Sequence, residues 1–112
     1  RVEWIKRLWE EIGSYGVGFV LDTCHSWAGG EPFDGLVERV REATGRIDLV
    51  HANDSKDPFD SRRDRHQNLG KGEIPIDDLA RTIVEADAPV VVETPGGAAE
   101  QGADIEWVRA LA

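Results

Sequence analysis

Hydrophobic residues recur at the spacing of a helix face in four segments of the chain. A repeat of i, i+3, i+4 and i+7 places apolar side chains on one side of an α-helix. The pattern therefore predicts four amphipathic helices, of which the first starts at Arg1 and is ended by Gly13 and Gly16, while Gly45 ends the second. The repeating positions are Ile5, Leu8, Trp9 and Ile12; Leu36, Val37, Val40 and Ala43; Ile76, Leu79, Ala80, Ile83 and Val84; and Ile105, Val108 and Leu111.

Three short apolar runs alternate with these helices, at 17–22, 47–51 and 89–93, and a long polar loop spans 52–75. Short Val-rich strands that alternate with helices, without two-residue hairpin turns, are typical of a parallel α/β sheet covered on both faces. Three strands are too few for a doubly wound domain, so the order favours a three-strand βα arc that closes a (β/α)8 barrel. A flavodoxin-like remnant is the alternative that periodicity leaves open.

The start of the chain indicates a longer protein. No Ser, Thr, Asp or Asn cap precedes the first helical stripe, and the 112 residues contain no methionine. We therefore expect the first helix to begin upstream and the chain to be a fragment.

Composition narrows the class of protein. Hydrophobic residues make up 40% and charged residues 31%, which excludes a disordered or collagen-like chain. No apolar run approaches the roughly 20 residues that span a bilayer, so no membrane partner is expected. One cysteine excludes an intramolecular disulfide framework and is compatible with a reducing cytoplasm. The net charge of −9 argues against a general nucleic-acid-binding surface.

Each predicted strand ends in a side chain that can bind a metal ion: Asp22, His51 and Glu93. The carboxyl ends of parallel strands form the ligand-binding edge of α/β folds. A carboxylate at the end of a buried strand is costly unless it is paired or coordinated. These residues are therefore candidate metal ligands.

The loops supply further candidates. His25 follows Asp22 by three residues, and Asp64 and His66 lie two apart, so an extended segment projects both to one side. Imidazole and carboxylate without thiolate suit catalytic zinc, manganese or iron. The alternative is that the three histidines are unrelated, as one buried, one exposed and one capping residue. Cys24 is expected to pack as a small hydrophobic side chain.

Three sequence blocks resemble endonuclease IV, the zinc-dependent apurinic/apyrimidinic (AP) endonuclease family that is built on a TIM barrel. The blocks are LDTCHSWAGG at 21–30, HANDSKDPFDSRRDRHQNLGKGEIP at 51–75 and VVVETPGG at 90–97. They occur in the order found in the family, and the resemblance runs across essentially the whole chain. The resemblance implies that residues 1–112 are the C-terminal part of a single TIM-barrel AP endonuclease domain.

The family resemblance also implies a cluster of three zinc ions and assigns ligands within it. Asp22, His51 and Glu93 match three ligands of one ion, whose bridging glutamate would lie upstream. His25, Asp64 and His66 match all the protein ligands of a second ion. The third ion takes two histidines and the same glutamate, none of which this chain contains. The resemblance implies no catalytic side chain other than the metal ligands.

The implied activity is hydrolysis of the phosphodiester on the 5′ side of an abasic site, which leaves a 3′-hydroxyl and a 5′-deoxyribose phosphate, together with trimming of blocked 3′ ends. The implied partner is double-stranded DNA with abasic sites, and the full-length enzyme is expected to be a cytoplasmic monomer. The stretch 54–72 has five basic and four acidic residues, a net charge of +1, against −10 for the rest of the chain. Arg62, Arg65 and Lys71 are therefore the candidate phosphate contacts, and Arg65 is preferred because it lies between two ligands.

Two other functions compete with this interpretation. A sugar isomerase or epimerase of the xylose-isomerase-like barrels also places Asp, His and Glu at these strand ends, but it leaves the second ligand set without a use. The chain by itself is alternatively a non-catalytic remnant, because parallel strands that are buried on both faces need their neighbours. We expect the isolated fragment to lack incision activity.

Overall fold

The computed structural model describes residues 2–111, which contain five α-helices, two small sheets and a single 3₁₀ turn at Gly13–Tyr15. Arg1 and Ala112 lie outside the described residues, and so does the predicted helix start at Arg1. The helices are α1 (Val2–Ile12), α2 (Thr23–Ala28), α3 (Leu36–Thr44), α4 (Ile76–Ala86) and α5 (Ala98–Arg109). The strands are β1 (Val20–Asp22), β2 (Leu49–His51), β3 (Asp54–Ser55), β4 (His66–Gln67) and β5 (Val90–Val91).

Strands β1, β2 and β5 form a parallel sheet with β2 at its centre. Val50 in the middle of β2 pairs with Leu21 on one side and with Val90 on the other. This confirms the predicted parallel α/β arrangement. The register also pairs Asp22 with His51, so two candidate ligands leave the same edge of the sheet side by side.

The hydrophobic core lies between the sheet and helices α3 and α4. Burial of this apolar surface is the main source of stability. Gly45 ends α3 as predicted: its φ of 75° allows its N–H to donate to the Arg41 carbonyl over 2.7 Å. The buried side chains of these elements are Leu21 and Val50 from the sheet, Leu36, Val37 and Val40 from α3, and Leu79 and Ile83 from α4.

Helix α1 packs less completely than its apolar stripe predicts. None of its described residues is fully buried, and Leu8 is 53% exposed. Trp9 makes an edge-to-face contact with Phe19, with ring centroids 5.8 Å apart. The helix therefore packs against α3 and reaches the margin of the sheet through Trp9, beside strand β1, which has a paired neighbour on one side only among residues 2–111.

Four local predictions differ from the structure. The parallel strands are two or three residues long, because the ladder forms only where neighbours are in register. The polar loop 52–75 contains the antiparallel ladder of β3 and β4, and the segment after Asp22 is the short helix α2. Helix α5 ends at Arg109, so Leu111 lies beyond it.

Among the described helices, none combines the length and hydropathy needed to cross a membrane.

Candidate metal centre

Asp22, His51 and Glu93 converge at the carboxyl edge of the parallel sheet. Nδ1 of His51 lies 2.6 Å from Oε1 of Glu93 and 3.8 Å from Oδ2 of Asp22. One ligand atom from each residue lies within 4.8 Å of the other two. The structure thus brings together the three strand-end residues that the sequence analysis singled out.

The orientation of Asp22 is fixed by its role as the N-cap of α2. Its Oδ1 atom accepts a hydrogen bond from the main-chain N–H of His25 over 3.0 Å. Its Oδ2 atom then lies 3.8 Å from Nδ1 of His51 and 4.0 Å from Nε2 of His66. Asp22 therefore lies within 4.0 Å of a histidine of each predicted ligand set.

The second set assembles around Asp64. Its carboxylate lies 3.2 Å from Nδ1 of His25 and 3.6 Å from Nε2 of His66. His66 reaches the site because β4 pairs with β3, which follows β2 almost directly. The side chain of His25 is 77% exposed and contacts Asp64. Within residues 2–111, the ligand atoms of Asp64 and His66 also lie within 4.8 Å of the Cys24 thiol. A thiol therefore adjoins the second set.

Cys24 is fully buried, as expected for a small hydrophobic side chain. Its thiol donates to the main-chain carbonyl of Arg65 over 3.5 Å. Burial raises the pKa of Cys24 to about 12, and a hydrogen bond with Asp64 acts in the same direction. The thiol is therefore protonated at neutral pH in this environment, although it lies beside the candidate ligands Asp64 and His66.

Two contacts that sequence reasoning missed hold the main chain of Glu93. Asn53 is fully buried, and its Oδ1 atom accepts from the Glu93 N–H over 2.9 Å. His66 donates from Nδ1 to the Glu93 carbonyl over 2.9 Å. Hydrogen bonds between metal ligands and the groups that surround them orient the ligands and fix the imidazole tautomer. Asn53 has no local pattern that would reveal it, because its partner is 40 residues away.

The donor set fits divalent metal ions. Two ligands of a tetrahedral zinc ion, each about 2.0–2.1 Å from the metal, lie roughly 3.3 Å apart. The separations around His51 are 2.6 and 3.8 Å, and those around Asp64 are 3.2 and 3.6 Å. Shifts of about 1 Å or less per side chain would therefore bring Asp22, His51 and Glu93 to coordination distances, whereas His25 contacts Asp64 but lies outside the compact group that Asp64 forms with His66. Carboxylates and imidazoles suit catalytic zinc, manganese or iron.

The three candidate phosphate contacts differ in their surroundings. Arg65 forms a bidentate ion pair with the buried Asp57, at 2.8 Å from Nε and 2.6 Å from Nη2. This hydrogen bonding to Arg65 holds the pKa of Asp57 below its ordinary value. Arg62 pairs with Asp60 over 2.8 Å at the surface, and Lys71 is exposed. Arg65 keeps the hydrogens of Nη1 for another acceptor, because a guanidinium has five donors.

Comparison with known proteins agrees with the resemblance to endonuclease IV. The family described as "Xylose isomerase-like TIM barrel" matches residues 1–111. Proteins named probable endonuclease 4 from Mycobacterium tuberculosis and Mycobacterium leprae are each 51% identical to the chain over 111 residues. These matches cover 97% of this chain and 42% of each relative.

The structural comparison agrees with the sequence comparison. The crystal structure of endonuclease IV from Thermus thermophilus superposes with a TM-score of 0.80 and 28% identity, over 96% of this chain and 43% of that one. The chain therefore spans less than half the length of the relatives that it matches. The resemblance to endonuclease IV and the assignment to part of a TIM barrel are both confirmed.

Proposed function

The chain belongs to the xylose isomerase-like TIM-barrel family, and from this premise we propose that its protein is a DNA repair endonuclease. The proposed reaction is zinc-dependent hydrolysis of the phosphodiester 5′ to an abasic site, which gives a 3′-hydroxyl and a 5′-deoxyribose phosphate, with trimming of blocked 3′ ends. One observation carries the proposal: two ligand sets meet at Asp22, whose Oδ2 atom lies within 4.0 Å of both His51 and His66. A sugar isomerase with a mononuclear or dinuclear metal site has no use for the second set, which makes this function the weaker candidate.

The six candidate ligands have distinct tasks in this proposal. Asp22, His51 and Glu93 hold one zinc ion and need a fourth ligand, which we assign to a glutamate outside this chain. The second ion is held by His25, Asp64 and His66. When bound, clustered divalent ions activate water and stabilise charge on the attacked phosphate and the leaving oxygen. The side chains position the ions, and no separate catalytic nucleophile is required.

The proposed partner is double-stranded DNA with abasic sites, bound by a cytoplasmic monomer. We assign the phosphate contacts to Arg62, Arg65 and Lys71, which lie on the stretch whose net charge is positive. Metal binding would neutralise the negative charge of Asp64 and make this rim more positive still. The acidic remainder of the chain would then face solvent away from the DNA.

We further propose that residues 1–112 are the C-terminal part of one barrel domain and lack incision activity by themselves. The chain spans 42% of the curated relatives. Val20 on β1 and Val91 on β5 are 45% and 43% exposed, at the two outer strands of the described sheet. Buried parallel strands need neighbours on both sides, so these residues would be covered in a complete barrel.

The proposal is tested with the protein encoded by the complete reading frame and a duplex that carries one abasic site. We expect cleavage immediately 5′ to the lesion, its loss with a zinc chelator and its recovery on addition of zinc. A matched duplex without the lesion is the control. Intact DNA after incubation with folded, zinc-loaded protein would contradict the proposal, and isomerisation of an aldose by that same sample would establish the competing function.

A further inference from the structure

Asp104 lies on α5, is only 4% exposed and accepts three hydrogen bonds. Its Oδ1 atom accepts from the main-chain N–H of Leu69 over 3.0 Å. Its Oδ2 atom accepts from Nδ2 of Asn68 over 2.8 Å and from the Thr94 hydroxyl over 2.5 Å. Burial of a carboxylate is costly, and these three donors offset that cost.

The donors come from the two segments that follow candidate ligands. Asn68 and Leu69 come two and three residues after His66, and Thr94 comes directly after Glu93. Asn68 also donates from Nδ2 to the carbonyl of Pro95 over 3.0 Å. The Asp104 carboxylate thus ties together the segments that carry one ligand from each set.

We propose that Asp104 is a positioning residue for the metal centre. By fixing Asn68 and Thr94 relative to each other, it sets the separation of His66 and Glu93 and thereby the geometry of both metal sites. This inference rests on the proposed function, because it requires that these residues bind metal ions. Within residues 2–111, the hydrogen bonds of Asp104 go to neither candidate ligand set, so it acts through its neighbours.

The decisive substitution is Asp104→Asn in the protein encoded by the complete reading frame. An amide at this position keeps the shape but places N–H groups against at least one of the three donors. We expect metal affinity, measured by competition with a chelator, to fall about tenfold, which is the lower range for outer partners of metal ligands. We also expect the visible absorption bands of the cobalt(II)-substituted protein to shift.

A second pair of variants separates positioning from folding. Thr94→Val removes the hydroxyl donor and is expected to shift the cobalt bands in the same direction, whereas Thr94→Ser retains the hydroxyl and should restore them. Thr44→Val is the matched control: Thr44 is also buried, and its hydroxyl donates to the Val40 carbonyl over 3.0 Å, at the end of α3. It should lower stability and leave affinity and spectrum unchanged.

The outcomes distinguish this inference from the proposed function. Wild-type affinity and spectrum in Asp104→Asn would overturn the inference, as would an equal spectral shift in Thr44→Val. If Asp104→Asn does not fold, the difference between the valine and serine variants at position 94 decides. Cobalt binding without cleavage of abasic DNA would contradict the proposed function alone. A wild-type protein that binds no cobalt or zinc would overturn both.

Discussion

The imidazole of His66 donates a hydrogen bond from Nδ1 to the main-chain carbonyl of Glu93 over 2.9 Å. A carbonyl oxygen only accepts, so Nδ1 carries the proton and Nε2 keeps its lone pair in the neutral ring. Nε2 lies 3.6 Å from Oδ1 of Asp64 and 4.0 Å from Oδ2 of Asp22. The main-chain carbonyl of Glu93 thus orients His66 so that its Nε2 atom is free to bind a metal ion.

We expect His66 to be protonated at Nδ1 both with and without zinc. The nitrogen chemical shifts of histidine labelled with ¹⁵N check this, with a His66→Gln variant to assign the signals. A neutral ring protonated at Nε2 in the metal-free protein would contradict the geometry.

Asp22→Asn is expected to remove metal without unfolding α2. An asparagine oxygen can still cap the helix by accepting from the His25 N–H, but the amide nitrogen that replaces Oδ2 cannot coordinate. Because loss of an outer partner alone costs about 10–100-fold in affinity, we expect loss of this ligand to cost more than about 100-fold. Equilibrium dialysis with zinc measures it. Asp34→Asn, at an exposed aspartate, is the control and should bind zinc like the wild type.

Lys71→Ala is expected to weaken binding of duplex DNA and to reduce the dependence of log Kd on log salt concentration by about one unit, because one phosphate contact is lost. Fluorescence anisotropy at several salt concentrations measures both quantities. Arg63→Ala removes a neighbouring exposed charge and should leave the slope unchanged. Equal slopes for Lys71→Ala and the wild type would exclude Lys71 as a phosphate contact.

The ion pair of Asp57 with Arg65 predicts a pH dependence of stability. Hydrogen bonding to Arg65 lowers the pKa of Asp57 below its ordinary value of 3.8. A depressed pKa stabilises the folded state fully above the ordinary value, and this contribution is lost as the pH falls through the lowered pKa. The urea midpoint of Asp57→Asn should therefore lie below that of the wild type at pH 7, and the gap should narrow below about pH 4. A gap that stays constant down to the acid limit would contradict this.

Gly72→Ala is expected to destabilise the fold by about 1–3 kcal/mol. A Cβ atom there would overlap the main-chain oxygen of Ser55 and lie 2.5 Å from Oδ1 of Asp54. Asp54 is fully buried and accepts from the N–H groups of Gly70 and Gly72 over 3.0 and 3.1 Å, so it cannot easily move. Urea denaturation measures the change in the free energy of unfolding.

The control for this substitution is Gly102→Ala in α5, where no atom of the neighbouring described residues lies within 4 Å of the added Cβ. Alanine in a helix interior is favoured over glycine, so a gain of roughly 0.5–1 kcal/mol is expected there. Similar losses in both variants would show that the overlap at Gly72 is not the cause.

Local patterns along the chain were enough to establish the four helices, the parallel order of the strands and the polar residues that end them. These features follow from periodicity, since side chains repeat every 3.6 residues on a helix and every two on a strand. Because parallel strands end at one edge, the convergence of Asp22 and His51 followed as well. The cap that Asp22 provides for α2 was not predicted, because the segment after Asp22 was expected to be a loop.

The contacts that hold the candidate ligands at the carboxyl edge of the sheet, in contrast, are decided by the tertiary structure. Asn53 holds Glu93 across 40 residues, Asp104 holds Asn68 across 36, and Cys24 lies beside Asp64. Such contacts depend on which loops pack together, and short-range periodicity carries no information about loop packing. The ladder of β3 and β4 is of this kind too, because its two-residue strands are too short for an alternating pattern, yet it brings His66 beside Asp22.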